Sequence, residues 1–415
     1  MSPAAISVLA IIVAAVLSVV SRINVGLVAI AFAWMIGTSM DGVGTATVLR
    51  AFPSSLFITL AGVTLLFAIA QQNGTLENLA CRAVALARGN ARVLPVLFFG
   101  IAMVVSTVGP GAIATVALVI PLAMAIGARA NVPHFLIALM VTNGANAGNL
   151  SPISSVGVIA NSSMARAGIV GHEGKVWFAN LAAHALVALA AYLLLGGWRL
   201  KGDTGADQRS SAPRLSIQER TTAAVIVAWI AGVLVFNFDL GLSAFTAAAL
   251  LVVLRTVDEG LAIRGMPWSA ILMVSGVSLL VGVLEATGGM ELFTTMLSRL
   301  ATPQTVNGVI AFVTGAISIF SSTSGVVLPT FLPTSAGVVE RLGGGDPLAV
   351  ALSINVGASL VDVSPLSTLG ALCVAAVADG VAAAKLFRQL LVWGVAMALV
   401  GALICQVFMG PLARL

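Results

Sequence analysis

Three asparagines, Asn143, Asn146 and Asn149, stand inside an apolar stretch long enough to cross a bilayer, and a carboxylate, Asp362, stands inside another. Hydrocarbon is a poor solvent for such groups. An unpaired buried amide costs roughly 1 to 3 kcal/mol, and carboxylates within membrane segments are rare and mostly serve ion or proton pathways. Asn146 and Asn149 are three apart and share a helical face. With Asn143 they either contact a ligand or lock unwound backbone. Asp362 either ligates Na⁺ beside neighbouring carbonyls or gains and loses a proton, unless local N–H groups or a distant arginine simply tie it down. Asn143, Asn149, Asn355, Ser359 and Asp362 are therefore the candidates for cation coupling, with Asn149 and Asp362 the pair suited to Na⁺.

Each polar group lies beside a duplicated break. SPISSVG, Ser151 to Gly157, returns as SPLSTLG, Ser364 to Gly370, and in that register Asp362 matches Asn149. Ser151 and Ser364 join Asn146 and Asn149 as candidate substrate contacts. Two further turns carry donors. SSTSGVVLP, Ser321 to Pro329, offers Ser322, Thr323, Ser324 and Gly325, while STVGPGA, Ser106 to Ala112, offers Ser106, Thr107 and the N–H groups of Gly109 and Gly111. Such tips suit an oxyanion, with a helix cap the alternative for SSTSGVVLP and a tight turn the alternative for STVGPGA.

The elements that must position these groups follow from composition. The chain has 415 residues, 59% hydrophobic and only 8% charged, with mean hydropathy +1.09, against roughly 25% charged in soluble proteins. Apolar runs recur along its length, which indicates a polytopic all-α membrane protein without a cleaved signal. Breaks in such helices survive only where they line protein or a wet cavity. The net charge of +5 sits in short loops, where membrane orientation explains it better than nucleic acid does. Cys81, Cys373 and Cys405 lack metal spacing and are read as packing residues, and His134, His172 and His184 as packing or surface residues. Asp239 and Glu285 sit near span ends and are read as interfacial.

In chain order, a first repeat covers 1–196: scaffold spans within 4–71, an interfacial helix at 73–92, a hairpin at 93–128, a broken helix at 133–165 and a last span at 177–195. A polar linker, 197–220, is followed by a second repeat over 221–415. Its scaffold spans fall within 221–285, the interfacial helix at 288–303, the hairpin at 305–342, the broken helix at 347–378 and the last span at 386–410. Matching residues are offset by 213 to 215, from Asn24 and Asp239 to Pro152 and Pro365. With a re-entrant hairpin and a broken helix counted as one crossing, each repeat has five spans, so the second is inverted. Placing both termini outside and the linker in the cytoplasm leaves 14 of the 20 cations inside, as the positive-inside rule prefers. The expected location is a bacterial-type inner (plasma) membrane, crossed many times. Inverted repeats with discontinuous helices and a site at the repeat interface are a secondary-transporter plan.

The doubled SP[IL]S[ST] signature, VGPGAIATVALVIPLAMAIG over Val108 to Gly127 and the SRINVGL opening resemble the malonate-type dicarboxylate carriers, the MatC-like proteins. More distantly the layout resembles the divalent anion/sodium symporters of the ion transporter superfamily. The resemblance implies a scaffold that dimerises, a mobile domain of hairpins, broken helices and last spans that moves as an elevator, and no enzymatic activity. It also implies a Ser-Asn-Thr triplet at each hairpin tip. Aligned through Pro121 and Pro333, those triplets fall on Gly111-Ala112-Ile113 and Thr323-Ser324-Gly325, both without asparagine. Asp362 is the residue that can compensate.

The expected function is therefore secondary transport of a small dicarboxylate, malonate or a four-carbon acid, driven by Na⁺ or protons, with no cofactor beyond a candidate Na⁺. A cation/proton antiporter using Asp362 is the alternative. An intramembrane enzyme would need a nucleophile with its base or a metal-ligand set, and a channel fits less well with two broken helices.

Overall fold

The computed structural model describes residues 2–21, 23–39, 44–85, 90–200, 215–319, 321–377 and 379–415. Most of the expected linker, at 201–214, lies outside the described residues, as do Arg22 and Arg88 of the charge count and 86–89 of the interfacial helix. Among the described residues the regular structure is helical.

The first ten helices are α1 (Pro3–Ser21), α2 (Val25–Ser39), α3 (Thr45–Arg50), α4 (Ser54–Gln72), α5 (Thr75–Ala85), α6 (Val93–Val108), α7 (Gly111–Arg129), α8 (His134–Asn149), α9 (Ser155–Arg166) and α10 (Glu173–Leu194). Then follow α11 (Ile217–Phe236), α12 (Leu240–Val253), α13 (Glu259–Arg264), α14 (Trp268–Ala286), α15 (Gly289–Ser298) and α16 (Val306–Ser318). A helical arm α17 (Thr323–Leu342), opened by a wide turn over Thr323–Val327, leads to α18 (Pro347–Leu360), α19 (Thr368–Ala375) and α20 (Gly380–Arg414). Helices α4, α7, α10, α14 and α20 are each long and apolar enough to cross a bilayer, and the chain is a multi-pass membrane protein. Between α16 and α17 the chain bends by 120°. Bulky apolar side chains exposed along α2, α12 and α20, such as Leu27, Trp34, Leu242, Val392 and Leu403, suit a lipid-facing exterior.

Helices from the first half of the chain pack on helices from the second. Helix α2 packs on α14 while α4 packs on α12; α1 meets α15 and α11 meets α5; α7 meets α19 and α17 meets α9. Glycines permit the two long crossings. Gly26 and Gly276 abut each other's helices, as do Gly62 and Gly241, and a Cβ at any of them would stand 2.2 to 2.6 Å from opposing backbone. The crossings are therefore backbone on backbone, and a larger residue would force the helices apart.

Helices α8 and α18 occupy the centre. Helix α8 is enclosed by α6, α7 and α10, and α18 by α16, α17 and α20. Every residue from Leu136 to Asn149 and from Leu348 to Leu360 is buried. Gly144 and Gly148 let α8 touch the α6 backbone at Phe99 and Met103, and Gly357 does the same for α18 at Ala311.

Three features depart from the sequence reading. The six-residue helices α3 and α13 interrupt the scaffold spans, too short for an apolar period to reveal. The arms α6 and α7 run almost to the first tip, leaving Gly109 and Pro110 as the turn. Helix α20 starts at Gly380, six residues before its expected span, because Asp379 caps it through the N–H groups of Val381 and Ala382.

Candidate functional site

The breaks are built from their own signature. A residue preceding proline is disfavoured in the α region, so neither helix continues through its Ser-Pro step: α8 ends at Asn149, ahead of Ser151-Pro152, and α18 already at Leu360, ahead of Ser364-Pro365. The loop then folds back. A Cβ on Gly157 would stand 1.8 Å from the Ser151 carbonyl oxygen, and one on Gly370 would stand 2.2 Å from that of Ser364. The Ser151 hydroxyl accepts the Ile153 N–H at 3.4 Å and the Ser364 hydroxyl accepts that of Leu366 at 3.3 Å. Ser151 and Ser364, expected as substrate contacts, thus close the loops that turn α9 and α19 toward the centre.

Break and tip are tied together in each half. Asn149 accepts the Ala112 N–H through its Oδ1 at 2.9 Å, and Ser155 N–H donates to the Gly109 carbonyl at 3.0 Å. Gly111, at φ +77, provides the left-handed step that starts α7. In the other half the Ser318 and Thr323 hydroxyls are hydrogen-bonded, Thr323 reaches the Ala358 carbonyl at 3.4 Å, and Ser322 accepts the Gly325 N–H at 3.0 Å.

Between the halves lies a polar pocket of about 20 Å³. The first tip contributes Ala112 and Ile113, the first break Asn149 and Val156, the second tip Ser322, Thr323 and Ser324, and the second break Asp362 and Thr368. The Ser367 hydroxyl donates to the backbone carbonyls of Asp362 and Ser364, and Asp362 and Thr323 line the pocket together. Ala112, Ile113, Val156, Thr323, Ser324 and Thr368 all sit in the first turns of α7, α9, α17 and α19. Four helix N-termini, with their positive dipole ends, converge on one small space, and the leading N–H groups of Ala112, Ser155 and Gly325 already have acceptors in Asn149, Gly109 and Ser322. Among the described residues no lysine or arginine lines it.

Of the expected residues, Asn149, Ser322, Thr323, Ser324 and Asp362 come together in this pocket, and Gly111 borders it through the Asn149 side-chain oxygen Oδ1, 3.5 Å from where a Cβ would be. Ser106 and Thr107 do not reach it. They belong to the last turn of α6, where Thr107 bonds back to the Met103 carbonyl and the buried Ser106 hydroxyl has no hydrogen-bond partner. Gly325 packs on Met273 of α14, and Gly109 on Phe67 of α4.

Asn146 acts between the halves. Its Nδ2 donates to the Ser359 carbonyl at 3.3 Å, its Oδ1 accepts from Asn149 at 3.4 Å, and its carbonyl accepts from Asn180. Asn143 pairs with His184 Nδ1 at 2.9 Å. Asn355 donates to Ala351 at 3.0 Å and contacts the Met164 sulfur, while its Oδ1 and the Ser359 hydroxyl have no hydrogen-bond partner among the described residues. Asn180 and His184 were missed as members of this network. Their signal was present, since both are polar, one turn apart, in the apolar helix α10. Ser367 and Thr368 were likewise overlooked inside the second break. Cys373 and Cys405 are buried and free, in line with packing roles. No cluster of three or more His, Cys, Asp or Glu side chains suited to a metal occurs among the described residues.

Residues 1–149 match the family model described as dicarboxylate carrier protein MatC N-terminus. Among solved structures the chain is similar to the YdaH transporter of Alcanivorax borkumensis, at 17% identity and a TM-score of 0.60, over 88% of this chain and 87% of that one. At that identity the likeness is one of fold. No curated protein matches the chain in sequence.

Proposed function

We propose, from the premise that the chain is a MatC-like protein over its first 149 residues, that it is a secondary active transporter importing a small dicarboxylate in company with Na⁺ or H⁺. The observation that carries the reading is the polar pocket, where four helix N-termini face Asn149 and Asp362 without a basic side chain. Backbone N–H groups and hydroxyls can hold a carboxylate there without a fixed cation. Asp362 then becomes the coupling group. Two unit charges about 4 Å apart at an effective dielectric near 20 repel by roughly 4 kcal/mol, about a thousandfold in affinity. A dicarboxylate therefore binds well only once Asp362 has taken up a proton or a Na⁺ held with the Thr323 and Ser367 hydroxyls.

The exchange of packing partners between α1–α10 and α11–α20 supports inverted repeats. The scaffold would comprise α1–α4 with α11–α14, and the mobile domain α6–α10 with α16–α20, moving as an elevator within a homodimer. The exterior placement of both termini belongs to the same reading. A cation/proton antiporter is the second reading, because Asp362 would serve it equally.

Uptake of radiolabelled malonate and succinate into proteoliposomes, with Na⁺ and proton gradients imposed separately, tests this. Accumulation under one gradient is expected, and Asp362→Asn should retain exchange while losing accumulation. If neither acid moves while Na⁺ or H⁺ flux is clear, the antiporter takes its place.

A further inference from the structure

Beside the polar pocket, and sharing Ala112, Ile113, Val156 and Ser324 with it, lies a cavity of about 250 Å³. Its apolar walls are Leu60 and Phe67 of α4, Ile113 of α7, Ile159 of α9, and Ile271 and Val274 of α14, with Thr64, Gln71, Ser155 and Ser324 as polar groups, and no charged side chain among the described residues lines it. The polar pocket alone, at about 20 Å³, has room for little more than one water, so the body of a dicarboxylate extends into this larger space and leaves part of it over. An apolar cavity of about 150 Å³ already takes a benzene-sized guest.

A loose fit between scaffold and mobile domain does not account for it. The same interface is in tight contact at Gly109 against the Phe67 ring and at Gly325 against the Met273 sulfur.

We propose that this cavity is the second half of the substrate site, and that the preferred substrate is a dicarboxylate bearing a nonpolar substituent of about four to six carbons. This rests on the dicarboxylate reading above. The carboxylates engage the helix N-termini and hydroxyls, and the substituent displaces water from the wall formed by α4 and α14. Absence of charge there favours a hydrocarbon group over a third polar one.

The test is a graded series of malonate, ethylmalonate, butylmalonate and phenylmalonate, each competing against labelled malonate in purified, reconstituted full-length protein. Burial of a methylene is worth about fourfold in affinity, so butylmalonate is expected to bind on the order of a hundredfold tighter than malonate. Ala117→Phe and Ala270→Phe, at two small residues lining the cavity, provide the second arm. In each variant the ratio of butylmalonate to malonate affinity should fall toward one. A flat series in the wild type overturns the proposal, as does a gain that survives both fillings. A flat series with lipid co-purifying with wild type but not with Ala117→Phe would instead assign the cavity to an acyl chain. If no member of the series binds at all, malonate included, the dicarboxylate reading itself falls.

Discussion

Gly157 and Gly100 are both helical glycines, in α9 and α6, yet the same added methyl should act on them in opposite directions. At Gly100 nothing lies within 4 Å of the would-be Cβ. Replacing it with alanine gains helix propensity of up to about 1 kcal/mol. At Gly157 the Cβ would stand 1.8 Å from the Ser151 carbonyl oxygen, so that atom must retreat by at least about 1.2 Å to reach the 3.0 Å that real contacts respect. The obstruction is backbone, not a flexible side-chain tip. Overpacking of this kind costs about 1 to 3 kcal/mol, which outweighs the propensity gain. The displaced loop is also continuous with Asn149, whose Oδ1 holds the Ala112 N–H. Gly157→Ala should therefore lower the melting temperature in detergent and nearly abolish dicarboxylate uptake in proteoliposomes, and Gly370→Ala should do the same. Gly100→Ala should melt at or above the wild-type temperature and transport normally. Wild-type melting and uptake in Gly157→Ala would refute the account of how the break is closed.

The His184–Asn143 pair predicts a double-mutant cycle. The residues 213 positions on are Met397 and Val356, so His184→Met alone leaves a buried amide oxygen unpaired, at about 1 to 3 kcal/mol, and adding Asn143→Val should restore most of the melting temperature. A double variant that melts below both singles would contradict this. Arg166 ties α9 to α14 by a 3.3 Å bond to the Ser278 carbonyl and a 3.9 Å ion pair with Glu285. A partly exposed tie is worth at most about 1 kcal/mol, so Arg166→Leu should leave melting nearly unchanged while altering the transport rate by up to about fivefold, and an unchanged rate would argue that this tie does not restrain movement. Glu219, at the start of α11, accepts the Ser216 N–H at 2.6 Å and bonds Asn78, and the Ser216 bond above all holds its carboxyl below the usual carboxylate range. Its stabilisation is complete above the unfolded-state value and is lost as pH falls through the lowered folded value. Glu219→Gln should thus reduce the melting temperature at pH 7 and matter progressively less toward pH 3, as measured by parallel melts.

Apolar runs separated by glycine, proline and charge were enough to place α1, α2, α4, α8 and α10 within a few residues, because membrane helices must satisfy their own backbone. Asn149 and Asp362 were legible for the converse reason, since amides and carboxylates in hydrocarbon need a use. The roles of Ser151, Ser364, Gly157 and Gly370 were not separable in the sequence. All belong to one signature, and only the folded loop shows that these serines and glycines shape the backbone while Asn149 and Asp362 face the pocket. Ser106 and Thr107 read as part of a turn because glycine and proline follow them, yet the helix extends through them and ends only at Gly109. The large cavity left no trace in the sequence, as its walls come from α4, α7, α9 and α14, which meet only through tertiary packing.

The glycine crossings bear on how the protein is made. Helix α4 finds its partner in α12, and α2 in α14, so neither crossing can close until well over half the chain has left the ribosome. About 170 to 190 residues separate α4 from α12, which at synthesis rates of roughly 5 to 20 residues per second is a wait of about ten to forty seconds. Through that interval Gly26 and Gly62 present backbone that the folded chain covers, so each half-chain made alone in the membrane would carry two open grooves awaiting the other.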